Sequence, residues 1–383
     1  MTQMTSRECM IAAMRREEVD RIPVPQTFWR GDPDEQRFRW DGLKDEITWM
    51  RKYGFDPYIS IPLPQTWNRE IDQKSWVEKD PDEPYPILCA EWSSPRGRLT
   101  AKIRKSDDYP HGRIPLFDDF NTPRFTKPLI CNGEDLLTLV RMDPYGTPEG
   151  DDLENWRQQS KERRYLAEAE GLALSSYGGT ALDYMIWSAL ADQAIMLVLD
   201  YPQETAAFLE YLNAHTERML ALCIEAGADF VLRRGWYDSA DFWGPEQFTA
   251  FAAPFISRTV AMSHDAGLPC CYYMCTGVEP LLDEIADLNF DCLVGVEPTA
   301  TGQDLTRIVD RLGGRKAFWT GVSAPLHIGM GTTDQVRQAV RDAHALFGKK
   351  GFLLAAVPSI RRHWPWENVE AMMDEHARIE RED

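Results

Sequence analysis

From residue 150 onward, a short apolar run, a polar turn and an amphipathic stretch repeat through the chain. The runs are LALSS (172–176), DFVLRR (229–234), CCYYMC (270–275), DCLVGV (291–296), KAFWTG (316–321) and GFLLAAV (351–357). Runs apolar on both faces suit strands covered by helices outside and by one another's side chains inside, which is the environment of a parallel sheet. The amphipathic stretches between them close on Gly227, Gly267 and Gly348, the residue type that ends a helix in left-handed backbone. Upstream, IPVPQTFW (22–29) and DPYIS (56–60) bring the strand count to eight. Eight strands with intervening helices predict a closed (β/α)₈ TIM barrel. An open doubly wound sheet would want a G-x-G-x-x-G turn after its first strand, and none occurs.

Two segments stand outside the repeat. SRECMIAAMRREE, preceded by Thr5 as a capping residue, predicts an N-terminal helical extension. Residues 63–150 are polar and proline-rich and contain EWSSPRGRLTAKIRK, two alternating runs around a Pro-Arg-Gly turn. That pattern predicts a β-hairpin. Inserted after the second strand, the segment would lie over the barrel mouth as a lid or partner surface, or be a plain extension. Residues 1–383 are read as a single barrel domain carrying this insertion.

Composition narrows the class of function. With 43% hydrophobic residues and 13 tryptophans the chain has ample core. A net charge of −19 repels nucleic-acid phosphates and anionic lipid. The opening MTQMTSRECM lacks a signal-peptide pattern, and no apolar run approaches the ~20 residues of a membrane helix, so a cytoplasmic protein is expected. Eight cysteines in so long a chain read as thiols rather than a disulfide framework.

In a barrel of this kind the chemistry sits where the strands end, here above all at Arg233–Asp238 and Cys270–Cys275. Alternation sends Cys271, Tyr273 and Cys275 to one face, but Cys271 and Cys275 would lie about 13 Å apart along a strand, too far to share a metal. Cys270 and Cys271 read as core thiols, and Cys275 as either a ligand or a core thiol. Glu297, just past DCLVGV, is a candidate base or ligand, or a salt-bridge partner of Arg233 or Arg234. One of those arginines should bind an anion, either Asp238, Glu297 or a substrate carboxylate. Arg361, Arg362 and His363 follow the last strand, where barrels often hold anions; a solvated loop is the alternative. His363 can exchange a proton near neutral pH, and Tyr184, Tyr237 and Tyr273 are further donors. Tryptophans such as Trp29, Trp236 and Trp364 would suit a flat aromatic ligand.

Four segments in order, RREEVDRIPV, YGGTALDYMIWSAL, GADFVLRRGWYDSADFWGPEQFTAFAAP and GFLLAAVPSIRRHWPWENVEAMMDE, resemble the uroporphyrinogen decarboxylase superfamily. The resemblance implies a (β/α)₈ barrel that is either a cofactor-free decarboxylase or a methyltransferase working with a corrinoid protein. Tyr184 and Asp238–Ser239 fall where the decarboxylases carry a tyrosine and an Asp-Ser pair. Of their arginine motif only Arg30 is matched, their aspartate after the second strand is replaced within SIPLP, and their late histidine falls near Pro358. Zinc-dependent methyltransferases of the superfamily carry H-x-C-G after the fifth strand; here the stretch is Tyr273-Met274-Cys275-Thr276, so Cys275 alone remains as a zinc ligand. The PRGRL insertion and the PSIRRHWPWENV ending look most similar to the O-demethylating branch.

The resemblance therefore implies transfer of a methyl group from a small methoxylated aromatic to a corrinoid partner. Tyr184, Asp238, Glu297 and His363 stand as catalytic candidates. Arg30, Arg233, Arg234, Tyr237, Ser239, Tyr273 and Arg361 are the substrate-binding ones. The alternatives are a decarboxylating lyase acting on an anionic substrate and a barrel that only binds a ligand.

Overall fold

The computed structural model describes residues 3–28, 40–64 and 66–382. Its centre is a parallel sheet of seven strands. The first, β1 (Tyr58–Ile61), precedes the insertion, whose strands are β2 (Thr66–Trp67), β3 (Asp72–Glu78), β4 (Ile87–Ser94), β5 (Gly97–Arg104), β6 (Phe125–Lys127) and β7 (Tyr145–Gly146). The sheet resumes with β8 (Ala173–Tyr177), β9 (Phe230–Arg234), β10 (Cys270–Tyr273), β11 (Cys292–Val294), β12 (Ala317–Ser323) and β13 (Phe352–Val357), paired in the order β1-β8-β9-β10-β11-β12-β13. Every residue of β12 and β13 is buried, as strands covered on both faces require.

The eighth stave is the one that departs from expectation. IPVPQTFW does not form a ladder strand over its described residues, 22–28; it makes one parallel bridge, Phe28 to Ile360. Pro23 and Pro25 lack the N–H that a central strand must donate. The segment nevertheless lies between the two edges of the sheet. Leu354 N donates to Pro23 O (3.0 Å), Asp56 N donates to Val24 O (3.0 Å), and Ile360 N donates to Thr27 O (3.1 Å). The buried Gln26 amide substitutes for the missing backbone groups, receiving a hydrogen bond from Ala356 N and giving one to Ala356 O, both at 2.8 Å. The fold is thus a TIM barrel with one stave held by isolated backbone hydrogen bonds together with the Gln26 side chain.

The helix Ser6–Met14 closes the N-terminal end of the barrel. Thr5 caps it in a reciprocal box with Glu8, and its Met10 and Met14 pack with Ala173, Phe230, Cys271, Ala317 and Leu353 inside the barrel. The other end is left for chemistry. In the insertion, β4 and β5 pair through the two-residue turn Pro95–Arg96, with Ser94 opposite Gly97. This expected hairpin is the middle of a four-stranded antiparallel sheet, β3-β4-β5-β6. Alternate residues Leu99, Ala101 and Ile103 are buried in one cluster with Leu136, Leu139, Met185 and Phe208, and the sheet rests on helix Gly133–Met142, which packs in turn on Pro202–Glu225. Among the described residues no helix is long and apolar enough to cross a membrane.

Candidate functional site

The period of two along β9 separates two adjacent arginines. Phe230 and Leu232 belong to the barrel-interior cluster, whereas Val231 packs outward with the helices. Arg233 shares the outward phase. It is 1% exposed, and its guanidinium donates to Gly178 O (2.9 Å), Thr259 Oγ1 (2.8 Å) and Asn213 Oδ1 (3.0 Å). The expectation that Arg233 binds substrate is corrected: it ties the strand to helices Pro202–Glu225 and Ala253–Asp265. Arg234 takes the inward phase and reaches the mouth.

Arg234 is the centre of a cluster drawn from four segments. Its Nη2 donates to Asp119 Oδ2 in the insertion (2.9 Å), and its Nε lies 3.2 Å from Asp183 Oδ2. Its guanidinium sits 4.9 Å from the ring of Trp187 and 5.2 Å from that of Trp236, favourable cation–π distances. Trp236 in turn stacks on Tyr273 with ring centroids 5.5 Å apart and planes 17° from parallel. The Trp187 indole N–H donates to Asp119 Oδ1. Asp183 is fully buried and accepts from Tyr237 N at 2.6 Å. Burial pushes its pKa up, against the pull of Arg234. Tyr184 is buried beside it, with its ring 5.2 Å from Phe117 of the insertion; burial pushes this phenol up as well.

Backbone bonds set these groups in place by carrying the sheet past its strand ends. Arg234 N donates to Gly179 O and Gly235 N donates to Tyr273 O, both at 2.9 Å. Gly235 is required by close approach, since a Cβ there would stand 2.4 Å from Tyr272 Oη and 2.5 Å from Asp238 Oδ2. Asp238 lies behind the mouth, fully buried. It accepts from Leu182 N and from Tyr272 Oη, each at 2.9 Å, joining the loops that follow β8 and β9.

Burial, with nearby Asp183 adding to it, raises the Asp238 carboxyl from 3.8 to about 7. Folding therefore takes up a proton here. The stabilisation is complete below about pH 4, is lost as pH rises through about 7, and changes by about 1.4 kcal/mol per pH unit between those limits. An Asn at this position offers one acceptor for Leu182 N and one donor for the Tyr272 hydroxyl, as the protonated acid does. Asp238→Asn should accordingly match the parent below about pH 4 and exceed its stability at pH 8 by several kcal/mol, on the order of 3. Urea unfolding of both proteins across this range checks the sign; a variant that is less stable at pH 8 would contradict it.

Cys275 and Glu297 adjoin at the ends of β10 and β11, where Glu297 N donates to Cys275 O at 2.9 Å. The Cys275 sulfur lies 3.6 Å from Tyr273 Oη, and burial pushes the thiol up to about 12. Glu297 Oε1 accepts from Thr299 N (3.1 Å) and Thr299 Oγ1 (2.6 Å), while its Oε2 is buried without a hydrogen-bond partner. His327, on a π-helical turn Ala324–Gly329, accepts from Ser323 N at Nδ1 (3.1 Å), which leaves the proton on Nε2. Gly295 lets Tyr273 lie flat against the strand end: its φ is +88°, and a Cβ would meet the ring at 2.8 Å.

Among the described residues no three His, Cys, Asp or Glu side chains approach closely enough to hold a metal ion. Cys275 therefore does not fit the zinc ligand that the resemblance implies.

The structure brings Tyr184, Arg234, Tyr237 and Tyr273 to one mouth, with Asp238 behind it and Cys275 and Glu297 alongside. Ser239 instead orders its own loop, donating to Asp241 Oδ2 at 3.0 Å. Arg361 and His363 are exposed near the turn after β13, where the His363 ring meets Trp364 at 6.1 Å. Arg30 and Trp29 lie outside the described residues. Asp119, Asp183, Trp187 and His327 were not singled out from the sequence. Asp183 adjoins Tyr184 in a recognised motif, but nothing local marks Asp119, which meets Arg234 from 115 residues away.

The family model "Uroporphyrinogen decarboxylase (URO-D)" matches residues 172–379. No curated protein sequence matches the chain. In structure the chain is similar to a methyltransferase from Methanosarcina mazei at 15% identity and TM-score 0.60, over 98% of this chain and 99% of that one. It is also similar to a B12-independent methionine synthase from a Shewanella species at 10% identity and TM-score 0.49, over 94% and 98% of the two chains.

Proposed function

This chain belongs to the uroporphyrinogen decarboxylase family, and from that premise we propose that it is a methyltransferase that takes a methyl group from a small methoxylated aromatic and passes it to a corrinoid protein. The observation that carries this reading is the aromatic wall at the barrel mouth. Tyr177, Trp187, Trp236 and Tyr273 are all partly exposed there, around one guanidinium. Flat faces of this kind hold a planar ring by offset stacking. The end of β1 speaks against decarboxylation, because Ile61-Pro62-Leu63-Pro64 offers no carboxylate at the position where the resemblance implies one. The full-length likeness to the Methanosarcina mazei protein agrees in fold.

A methyl ether is cleaved by attack on its methyl carbon, and the departing phenolate must gain a proton or a hydrogen bond. The Tyr273 hydroxyl and the Cys275 thiol are both held protonated by burial and stand ready as donors at that end of the mouth. The corrinoid, carried by its own protein, would supply the reduced cobalt nucleophile. Leu326 and Met330, 45% and 71% exposed after β12, give an apolar rim against which such a partner can close.

Mixing the protein with 4-methoxybenzoate and a chemically reduced corrinoid protein tests the reading. The expected result is conversion of the corrinoid to its methylated spectrum only when all three are present. A panel of methoxylated aromatics with none giving that spectrum would count against it.

A further inference from the structure

We propose that Asp119 is a built-in stand-in for a substrate carboxylate, so that an aromatic monocarboxylate enters the mouth by displacing it from Arg234 and Trp187. The proposal deepens the function above, on which its choice of an aromatic acid rests, but the geometry that supports it is independent of methyl transfer.

Two carboxylates contact the one guanidinium, and they differ in kind. Asp183 is fixed, with 0% of its side chain exposed and Oδ1 held by Tyr237 N. Leaving it without a cation would strand a buried charge. Asp119 comes from the irregular segment 105–121 of the insertion, and 38% of its side chain is exposed. Its release into water costs little, because an ion pair this exposed is screened by solvent. With Asp183 present, Asp119 is the surplus negative charge.

Its two oxygens face donors from the barrel: Oδ1 accepts from the Trp187 indole N–H and Oδ2 from Arg234 Nη2, and the Tyr237 hydroxyl also bonds to this carboxylate. These donors face the same planar anion, as they would face the carboxylate of a ligand. An incoming monoanion that kept Asp119 in place would add a third negative charge to a single guanidinium. Exchange removes that repulsion and returns the hydrogen bonds. A neutral amide of the same shape gains nothing from the exchange, so the mouth should select carboxylates only after Asp119 has left.

The test compares 4-methoxybenzoate with 4-methoxybenzamide, measured by calorimetry or tryptophan fluorescence on the parent and on Asp119→Asn. Asparagine keeps an acceptor for Trp187 while removing the competing charge. The carboxylate should bind the variant at least tenfold more tightly than the parent, whereas the amide should change by less than twofold. In the parent, hydrogen–deuterium exchange at backbone amides 117–121 should speed up with bound carboxylate. Equal or weaker carboxylate binding to the variant would overturn the proposal. So would a lack of binding to either protein, or slowed exchange at 117–121. Because these readouts need no turnover, displacement can hold while methyl transfer fails, and methyl transfer can occur while displacement fails.

Discussion

Arg233→Ala should destabilise the protein by about 3–5 kcal/mol, because truncating a buried side chain that donates from both Nη atoms leaves a cavity and unmet acceptors. The acceptors concerned are Gly178 O, Asn213 Oδ1 and Thr259 Oγ1. Thr259 also donates to Gly178 O at 3.2 Å, so the loss at that carbonyl is partial and the Asn213 amide bears most of it. Arg233→Lys, which keeps the charge but cannot reach three acceptors in a plane, should lose about half as much. Urea unfolding gives both values. The folded fraction of either variant should bind ligand with the parent's affinity, since the side chain faces the helices. A variant of parental stability with weakened ligand binding would reverse the assignment of the two arginines.

Arg234→Ala should be as costly for a different reason. It leaves Asp183, with no exposed surface, as a buried carboxylate without its cation, a change worth about 3–5 kcal/mol. Asp183 already titrates above its ordinary value. Loss of Arg234 raises it further, so the protonated form relieves the penalty at low pH and the deficit should widen as pH rises above about 4. Arg234→Ala combined with Asp183→Asn should recover a large part of the loss, giving a coupling energy well above the few tenths of a kcal/mol expected for independent sites. Additive losses at both low and high pH would mean that the two side chains do not act as a pair.

The two arginines also mark where the sequence stops speaking. Strands β8 to β13 are legible because each is an apolar run of the right length between helices that end in glycine. Those runs are apolar on both faces, so the pattern does not carry the phase that sends Arg233 outward and Arg234 inward. That phase is set by the neighbours: Tyr272 pairs with Arg233 and Tyr273 with Arg234 in register. The first stave fails as a regular strand for a visible reason, Pro23 and Pro25, yet its rescue by Gln26 depends on Ala356, 330 residues away.

In the insertion, the hairpin β4–β5 announces itself by alternation and a turn. Its neighbour β3 is mostly exposed and reads as a loop. Asp119 is the extreme case, because only the folded insertion brings it to the mouth. The legible members of the site, Tyr184, Asp238 and Tyr273, were those lying in recognised motifs or at strand ends. Asp183 escaped because a buried acid at a helix start looks like a capping residue.

The central claim is that the methyl group leaves the aromatic substrate while its carboxylate stays. It is tested most directly with one molecule, 4-methoxybenzoate carrying one isotope in its methyl group and another in its carboxyl group, incubated with the protein and a reduced corrinoid protein. The account expects the methyl label on the corrinoid and the carboxyl label retained in 4-hydroxybenzoate. Release of the carboxyl label as carbon dioxide, with the methyl label still on the ring oxygen, would contradict it.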